Sequence, residues 1–249
     1  MTISTIPSPD TRQGAPLIQW LRVHKSYGNG RPVFQNANLE INKGDFVFLM
    51  GPSGAGKSTF FKLLLAMELP SRGHILFNGR SLQRMSSKDI PYFRRRTGIV
   101  FQDPRVIMDR TVLENVTLPL EIAGKDARFA RSKAVQILTA LGLDPKLDSK
   151  CSQLSVSEQQ LVAIARAVVN DPVLLLWDEP AGKLDEEAHL RVMELLGNIN
   201  VRGTTVIVAS HQPSLVDTVP HGRVLAIHDG GILERVILPD KTVWRQPSP

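Results

Sequence analysis

The sequence predicts an α/β domain built on a parallel sheet, with a helical stretch inserted between the two halves of that sheet. Three observations predict this class. Short apolar runs at residues 46–50 and 173–177 are bounded by glycine or charge, as strands buried on both faces are. Strand-like and helix-like segments alternate from residue 173 to residue 227, the order that places helices across a parallel sheet. Between residues 86 and 169 the β-branched runs thin out and helical periods take over.

Taken in order, residues 17–23 alternate apolar and polar side chains and read as a strand with one buried face. Gly28, Asn29 and Gly30 make a turn, and residues 37–41 a second strand. The apolar run 46–50 follows, then a glycine-rich loop, then a helical pattern through Ala66. In the middle stretch, residues 126–141 place Phe129, Ala130, Lys133, Ala134, Ile137, Leu138 and Leu141 on one stripe, the spacing of an amphipathic helix stopped by Gly142. Residues 155–169 form a second helix, ended by Asp171-Pro172. Strand 173–177, helix 186–199 and strands 205–209 and 224–227 complete the domain, expected over residues 17–238. Residues 1–16 mix Ser, Thr, Pro and Gly and read as a disordered lead-in without the apolar stretch of a secretion signal. Residues 239–249, with Pro239 and Pro247 to Pro249, read as a flexible tail.

Composition narrows the function. No apolar run approaches the ~20 residues that cross a bilayer. The single cysteine, Cys151, leaves no internal disulfide, as suits a reducing compartment. The net charge of +6 suggests an acidic neighbour, lipid headgroups or nucleic acid. Aromatics are sparse at 6% and none interleaves with the basic cluster Arg94-Arg95-Arg96 as a base-stacking platform, so nucleic acid is not the expected partner. That cluster reads as a solvated face, or as a contact with anionic lipid or a partner's helix.

The chemistry lies in two segments. Gly51-Pro52-Ser53-Gly54-Ala55-Gly56-Lys57-Ser58 fits G-x-x-x-x-G-K-[ST] between a strand and a helix. A polyphosphate needs many donors at short range, and glycines let the backbone turn its N–H groups inward. The helix that follows adds the positive end of its dipole. Lys57 would reach the β- and γ-phosphates, Ser58 would ligate Mg²⁺, and Thr59 is placed for the α-phosphate. The second segment, an apolar strand ending in Asp178-Glu179, puts two acids at the carboxyl edge of the sheet. Asp178 suits the Mg²⁺ shell and Glu179 a general base or positioner for an attacking water.

With these segments in place, residues 17–236 resemble the ABC ATPase family. The resemblance implies a nucleotide-binding core with an antiparallel β subdomain and an inserted helical subdomain, and a homodimer formed on ATP binding. It implies that Phe101-Gln102-Asp103 is the Q-loop, with Gln102 touching Mg²⁺ or the lytic water, and that Ala181 to Asp185 is the D-loop. It further implies that His211 contacts the γ-phosphate, that Tyr27 stacks on adenine, and that Leu154 to Glu158 is the signature. There Ser155 and the Ser157 N–H would serve the triphosphate of the opposite subunit. Arg94 to Gln102, Met108 to Val116 and Ala165 to Asn170 resemble the bacterial cell-division branch, whose ATPase partners the integral membrane protein FtsX at the cytoplasmic face of the inner membrane. The lipoprotein-release and macrolide-export branches are near relatives.

The signature departs from the family pattern. Both glycines are replaced, by Val156 and Ser157, and Leu161 stands where arginine is usual. Val156 is β-branched and stiff. Three readings follow: an ATPase with a less well formed closed dimer and slower turnover, substitutions that are tolerated because the backbone geometry survives, and a nucleotide-gated scaffold that barely turns over.

Overall fold

The computed structural model describes residues 16–28, 30–179, 184–219, 221–237 and 242–247. Two sheets carry the fold. The smaller is antiparallel, in the order β2-β1-β4-β5, from β1 (Ile18–Lys25), β2 (Phe34–Ile41), β4 (Arg72–Phe77) and β5 (Arg80–Ser81). The larger has seven strands in the order β11-β10-β9-β3-β8-β7-β6. Its parallel part comprises β6 (Thr97–Val100), β7 (Leu174–Asp178), β8 (Thr205–Ser210), β3 (Phe46–Met50) and β9 (Arg223–His228). Antiparallel β10 (Gly231–Ile237) and β11 (Thr242–Arg245) extend one edge.

The middles of the parallel strands are apolar because both faces are covered, and their polar residues lie mostly at the strand ends. Phe46, Phe48, Leu175 and Trp177 enter a core shared with the helices α3 (Val112–Ile122), α4 (Ala127–Ala140), α5 (Val156–Val168) and α6 (Glu186–Val201). The alternate residues Val47, Leu49, Leu174 and Leu176 enter a second core with α1 (Lys57–Leu64) and the antiparallel sheet. There Trp20 stacks on Phe60 at 4.7 Å and meets Phe34 edge-on at 5.0 Å. The helix that follows the glycine-rich loop is thus clamped to β1 and β2 by large rings.

Local chemistry sets the helix starts. Thr111 with Glu114 and Ser155 with Glu158 form capping boxes for α3 and α5, and Asp126 and Asp185 cap α4 and α6. Gly142, at φ +74, ends α4 as expected.

Three expectations need correction. The stretch read as helical, 86–169, contains β6, the edge strand of the main sheet, as well as the short helix α2 (Asp89–Arg95). The helices that pack on one another, α3 to α5, come after it. The tail read as flexible holds β11, which pairs with β10 from Glu234↔Arg245 to Ile237↔Thr242. Phe129, placed on the buried stripe of α4, is 49% exposed, and the stripe that packs is Ala130, Ala134 and Leu138. Residues 1–15, including most of the expected lead-in, lie outside the described residues.

The basic cluster is more structural than its charge suggests. Arg94 donates to the carbonyls of Leu65 and Ala66, where α1 ends, and Arg95 lies over the Tyr92 ring. Cys151 is buried and free of any disulfide, and burial raises its thiol pKa.

Candidate functional site

Four neighbouring parallel strands, β3, β8, β7 and β6, end at one edge of the sheet, where α/β folds gather ligand groups. β3 leads into the glycine-rich loop, β7 ends at Asp178, β8 delivers His211, and β6 runs into Phe101-Gln102. The result is one cavity of about 580 Å³ lined by Pro52, Ser53, Gly54, Gly56, Lys57, Ser58, Thr59, Gln102, Asp178, Glu179 and His211.

The loop's shape depends on two glycines. Gly54 and Gly56 have φ of +80 and +113, and a Cβ on Gly56 would come within 2.6 Å of Val33 Cγ1. Gly56 is also the N-cap of α1, so no side chain accepts from the first-turn amides. Those N–H groups, and the helix dipole behind them, make a site for an anion.

Lys57 is nearly buried and its ammonium is already coordinated. It donates to the Gly51 carbonyl at 2.7 Å and to that of Pro52 at 3.1 Å, and pairs with Glu179 Oε1 at 3.0 Å. The second Glu179 oxygen meets His211 Nδ1 at 2.8 Å. Glu179 has φ +52, a conformation that costs a non-glycine residue ~1–3 kcal/mol and that recurs at functional sites. The strain turns the carboxylate into the cavity, between a lysine and a histidine.

Asp178 presents one oxygen to the Ser58 hydroxyl, 3.1 Å away, while its Oδ1 is buried without a hydrogen-bond partner. Burial pushes the Asp178 pKa up; the Ser58 hydrogen bond opposes this, and the neighbouring Glu179 charge adds to it. A buried, unsatisfied carboxylate oxygen beside a serine hydroxyl fits a small hard cation. Mg²⁺ is commonly held by one or two carboxylates, with water and substrate phosphates completing its octahedron. Among the described residues no cluster of three or more His, Cys, Asp or Glu forms a closed cage.

The other sequence candidates fall around this cavity or away from it. Tyr27 is half exposed and its hydroxyl lies 3.5 Å from Thr59 Oγ1, so its ring stands beside the loop's far end. Gly51 and Ala55 do not line the cavity: the Gly51 carbonyl accepts from Lys57, and Ala55 packs against the second core. Ser155, Ser157 and Asp185 are not in the cavity. Ser155 is the N-cap of α5, and Asp185 Oδ1 accepts from the Ala188 N–H at 2.7 Å. The expected loop residues Ala181, Gly182 and Lys183 lie outside the described residues.

Val156 and Ser157 occupy the first two positions of α5, and neither has positive φ. Replacing the family's glycines therefore costs the backbone nothing here. What remains of the expected defect is the Val156 side chain, 55% exposed at the head of the helix.

Sequence reasoning missed several supporting residues. Arg166, on α5, donates to the carbonyls of Pro104 (3.3 Å) and Arg105 (2.8 Å), fixing the loop beyond Gln102. Buried Asn115 ties the same loop to α3 through Ile107 and Thr111, and bonds Cys151 Sγ. Lys25 pairs with Glu68 at 2.8 Å and sits 4.8 Å from the Tyr27 ring centroid. The available signal was a charged residue inside an apolar helical run, as in Ile164-Ala165-Arg166-Ala167, which must find carbonyls when buried.

Comparison with known proteins agrees with this geometry. A family model described as ABC transporter matches residues 34–182. The chain is 41% identical over 217 residues to the cell division ATP-binding protein FtsE of Bacillus subtilis, covering 87% of this chain and 95% of that one. Against the protein of the same name from Escherichia coli the identity is 41% over 214 residues, 86% and 96% of the two chains. A solved dimeric ATP-binding cassette, in a post-hydrolysis state bound to ADP and Pi, aligns with a TM-score of 0.79 at 31% identity, over 91% of this chain and 98% of that one. This chain belongs to the ABC transporter family, as one of its ATP-binding cassettes.

Proposed function

We propose that the protein binds and hydrolyses ATP as the cassette subunit of a cell-division complex of the FtsE type, and drives conformational change in an FtsX-like integral membrane protein that controls peptidoglycan hydrolysis. The observation that carries the reading is the convergence of Lys57, Ser58, Asp178, Glu179, His211 and Gln102 on one cavity, in a chain aligned over almost the whole length of FtsE relatives.

The residues divide the work as follows. The loop amides and Lys57 bind the phosphates, and Tyr27 stacks on the base. Phosphate oxygens compete with Glu179 for the Lys57 ammonium, so nucleotide entry frees Glu179 from its ion pair. Glu179 then accepts from the attacking water, with His211 on its other oxygen holding the carboxylate in line. Ser58, Asp178 and Gln102 would hold Mg²⁺, which would supply charge neutralisation for phosphoryl transfer. Ser155, Ser157 and Asp185 stand apart from this cavity and serve the site of a second copy in an ATP-bound homodimer. No helix among the described residues is long and apolar enough to cross a membrane. In this reading the FtsX-like partner, and not nucleic acid, is what the protein engages, and it holds the protein at the cytoplasmic face of the inner membrane.

Phosphate release and nucleotide retention, measured side by side, test the enzyme. Glu179→Gln retains Mg·ATP and loses at least a hundredfold in turnover, while Lys57→Ala loses retention. Release independent of Glu179 would leave only a nucleotide-gated scaffold. Affinity capture from solubilised membranes tests the partner: recovery of a lipoprotein-release or export permease in place of an FtsX-type protein would overturn the cell-division role.

A further inference from the structure

The hydroxyl proton of Ser155 is committed within its own chain. It donates to Glu158 Oε2 at 3.0 Å and accepts from the Glu158 N–H at 3.3 Å, while the Ser155 N–H donates to the same carboxylate oxygen at 2.9 Å. A serine has one hydroxyl proton, so Ser155 cannot donate to Glu158 and to a phosphate oxygen at once. Glu158 poses a second difficulty. Wherever Ser155 meets a triphosphate, a carboxylate follows within one hydrogen bond, and like charges repel.

The molecule holds an answer to both. Lys146, in the short turn after α4, grips Glu158 Oε1, the oxygen that Ser155 does not use. The ammonium neutralises the carboxylate and gives it a partner that stays when the serine leaves. Lys146 is 44% exposed and Glu158 24%, so the pair is wet enough to rearrange.

We propose that Lys146 is a positioning residue: by holding the Glu158 carboxylate, it lets the Ser155 hydroxyl turn from its own helix cap to the triphosphate bound by a second copy of this chain. No covalent bond changes; the proton stays on Ser155 Oγ, and its hydrogen bond turns from Glu158 Oε2 to an anionic phosphate oxygen. The inference rests on the paired-cassette reading above. It also gives a reason for a lysine beside a signature whose fifth residue is a charged Glu158.

The test is ATP-dependent dimerisation of the full chain in the Glu179→Gln background, followed by sedimentation across protein concentrations. Only in the dimer does Glu158 face a triphosphate, so losing the Lys146 charge adds a solvent-screened like-charge repulsion there, roughly threefold per site; with two sites in a symmetric dimer, Lys146→Met weakens the dimer about tenfold. Lys146→Arg keeps the charge and the parental value. Adding Glu158→Gln to Lys146→Met restores dimerisation, because glutamine retains the capping box and carries no charge. Three results overturn the inference: Lys146→Met dimerising like its parent, Lys146→Met weakened but not rescued by Glu158→Gln, or Lys146→Arg as weak as Lys146→Met. If the parent binds ATP and stays monomeric, the paired-cassette reading fails and takes this inference with it.

Discussion

Gly56→Ala should be among the most destabilising single-methyl additions in this chain, and the structure says why by two separate routes. The residue sits at φ +113, a conformation that costs an L side chain ~1–3 kcal/mol. The new Cβ would also lie 2.6 Å from Val33 Cγ1 and 3.5 Å from the Phe34 ring. Valine is stiff at χ1 and Phe34 is fully buried, so neither gives way cheaply, and overpacking of this kind costs ~1–3 kcal/mol. Together the two routes cost about 4 kcal/mol. Gly54→Ala separates the routes, because Gly54 shares the positive φ, at +80, and a methyl group there would meet nothing within 4 Å. That variant should lose only about 1–2 kcal/mol. Urea unfolding without nucleotide reads both differences from midpoints at constant m, and melting should place Gly56→Ala ~8–16 °C below the parent. Equal losses in the two variants would refute the argument that Val33 closes the loop from beneath.

The signature and the pH response give further tests. Because both signature positions are ordinary helix, Val156→Gly should raise turnover a few-fold by removing an exposed side chain, while Ser157→Gly should leave it unchanged; a rise confined to Ser157→Gly in steady-state phosphate release would contradict this. Glu68 is held down from 4.5 to about 2, first by the Lys25 hydrogen bond and then by that from Tyr27. A depressed carboxylate contributes stability that is complete above its unfolded value and lost as pH falls through its folded one, so this contribution fades between pH 4.5 and 2. Glu68→Gln should flatten that limb by about 1 kcal/mol, the worth of a solvent-screened network, in acid titrations of unfolding free energy.

Much of the molecule was legible in its sequence, and the legible parts share a property: the interacting atoms are close along the chain. The loop 51–58 and the Asp178-Glu179 strand end encode geometry within a few residues. Their chemistry could therefore be read before any fold was known. The strand core was legible because continuous apolar runs require cover on both faces.

Tertiary structure decided the rest, and the reason is the range of the forces involved. Thr97–Val100 has only four residues, and it joins the sheet because Gly98 lets α5 approach so closely that a Cβ there would lie 2.3 Å from the Ala167 carbonyl. β11 is a strand only because β10 offers it a free edge. Arg166 reaches a carbonyl 61 residues away, and Lys146 and Glu158 face each other across a turn that no periodicity announces. Short-range chemistry named the candidate groups of this cassette. Only packing between distant segments determined that Lys57, Asp178, Glu179 and His211 share one cavity while Ser155 and Asp185 do not.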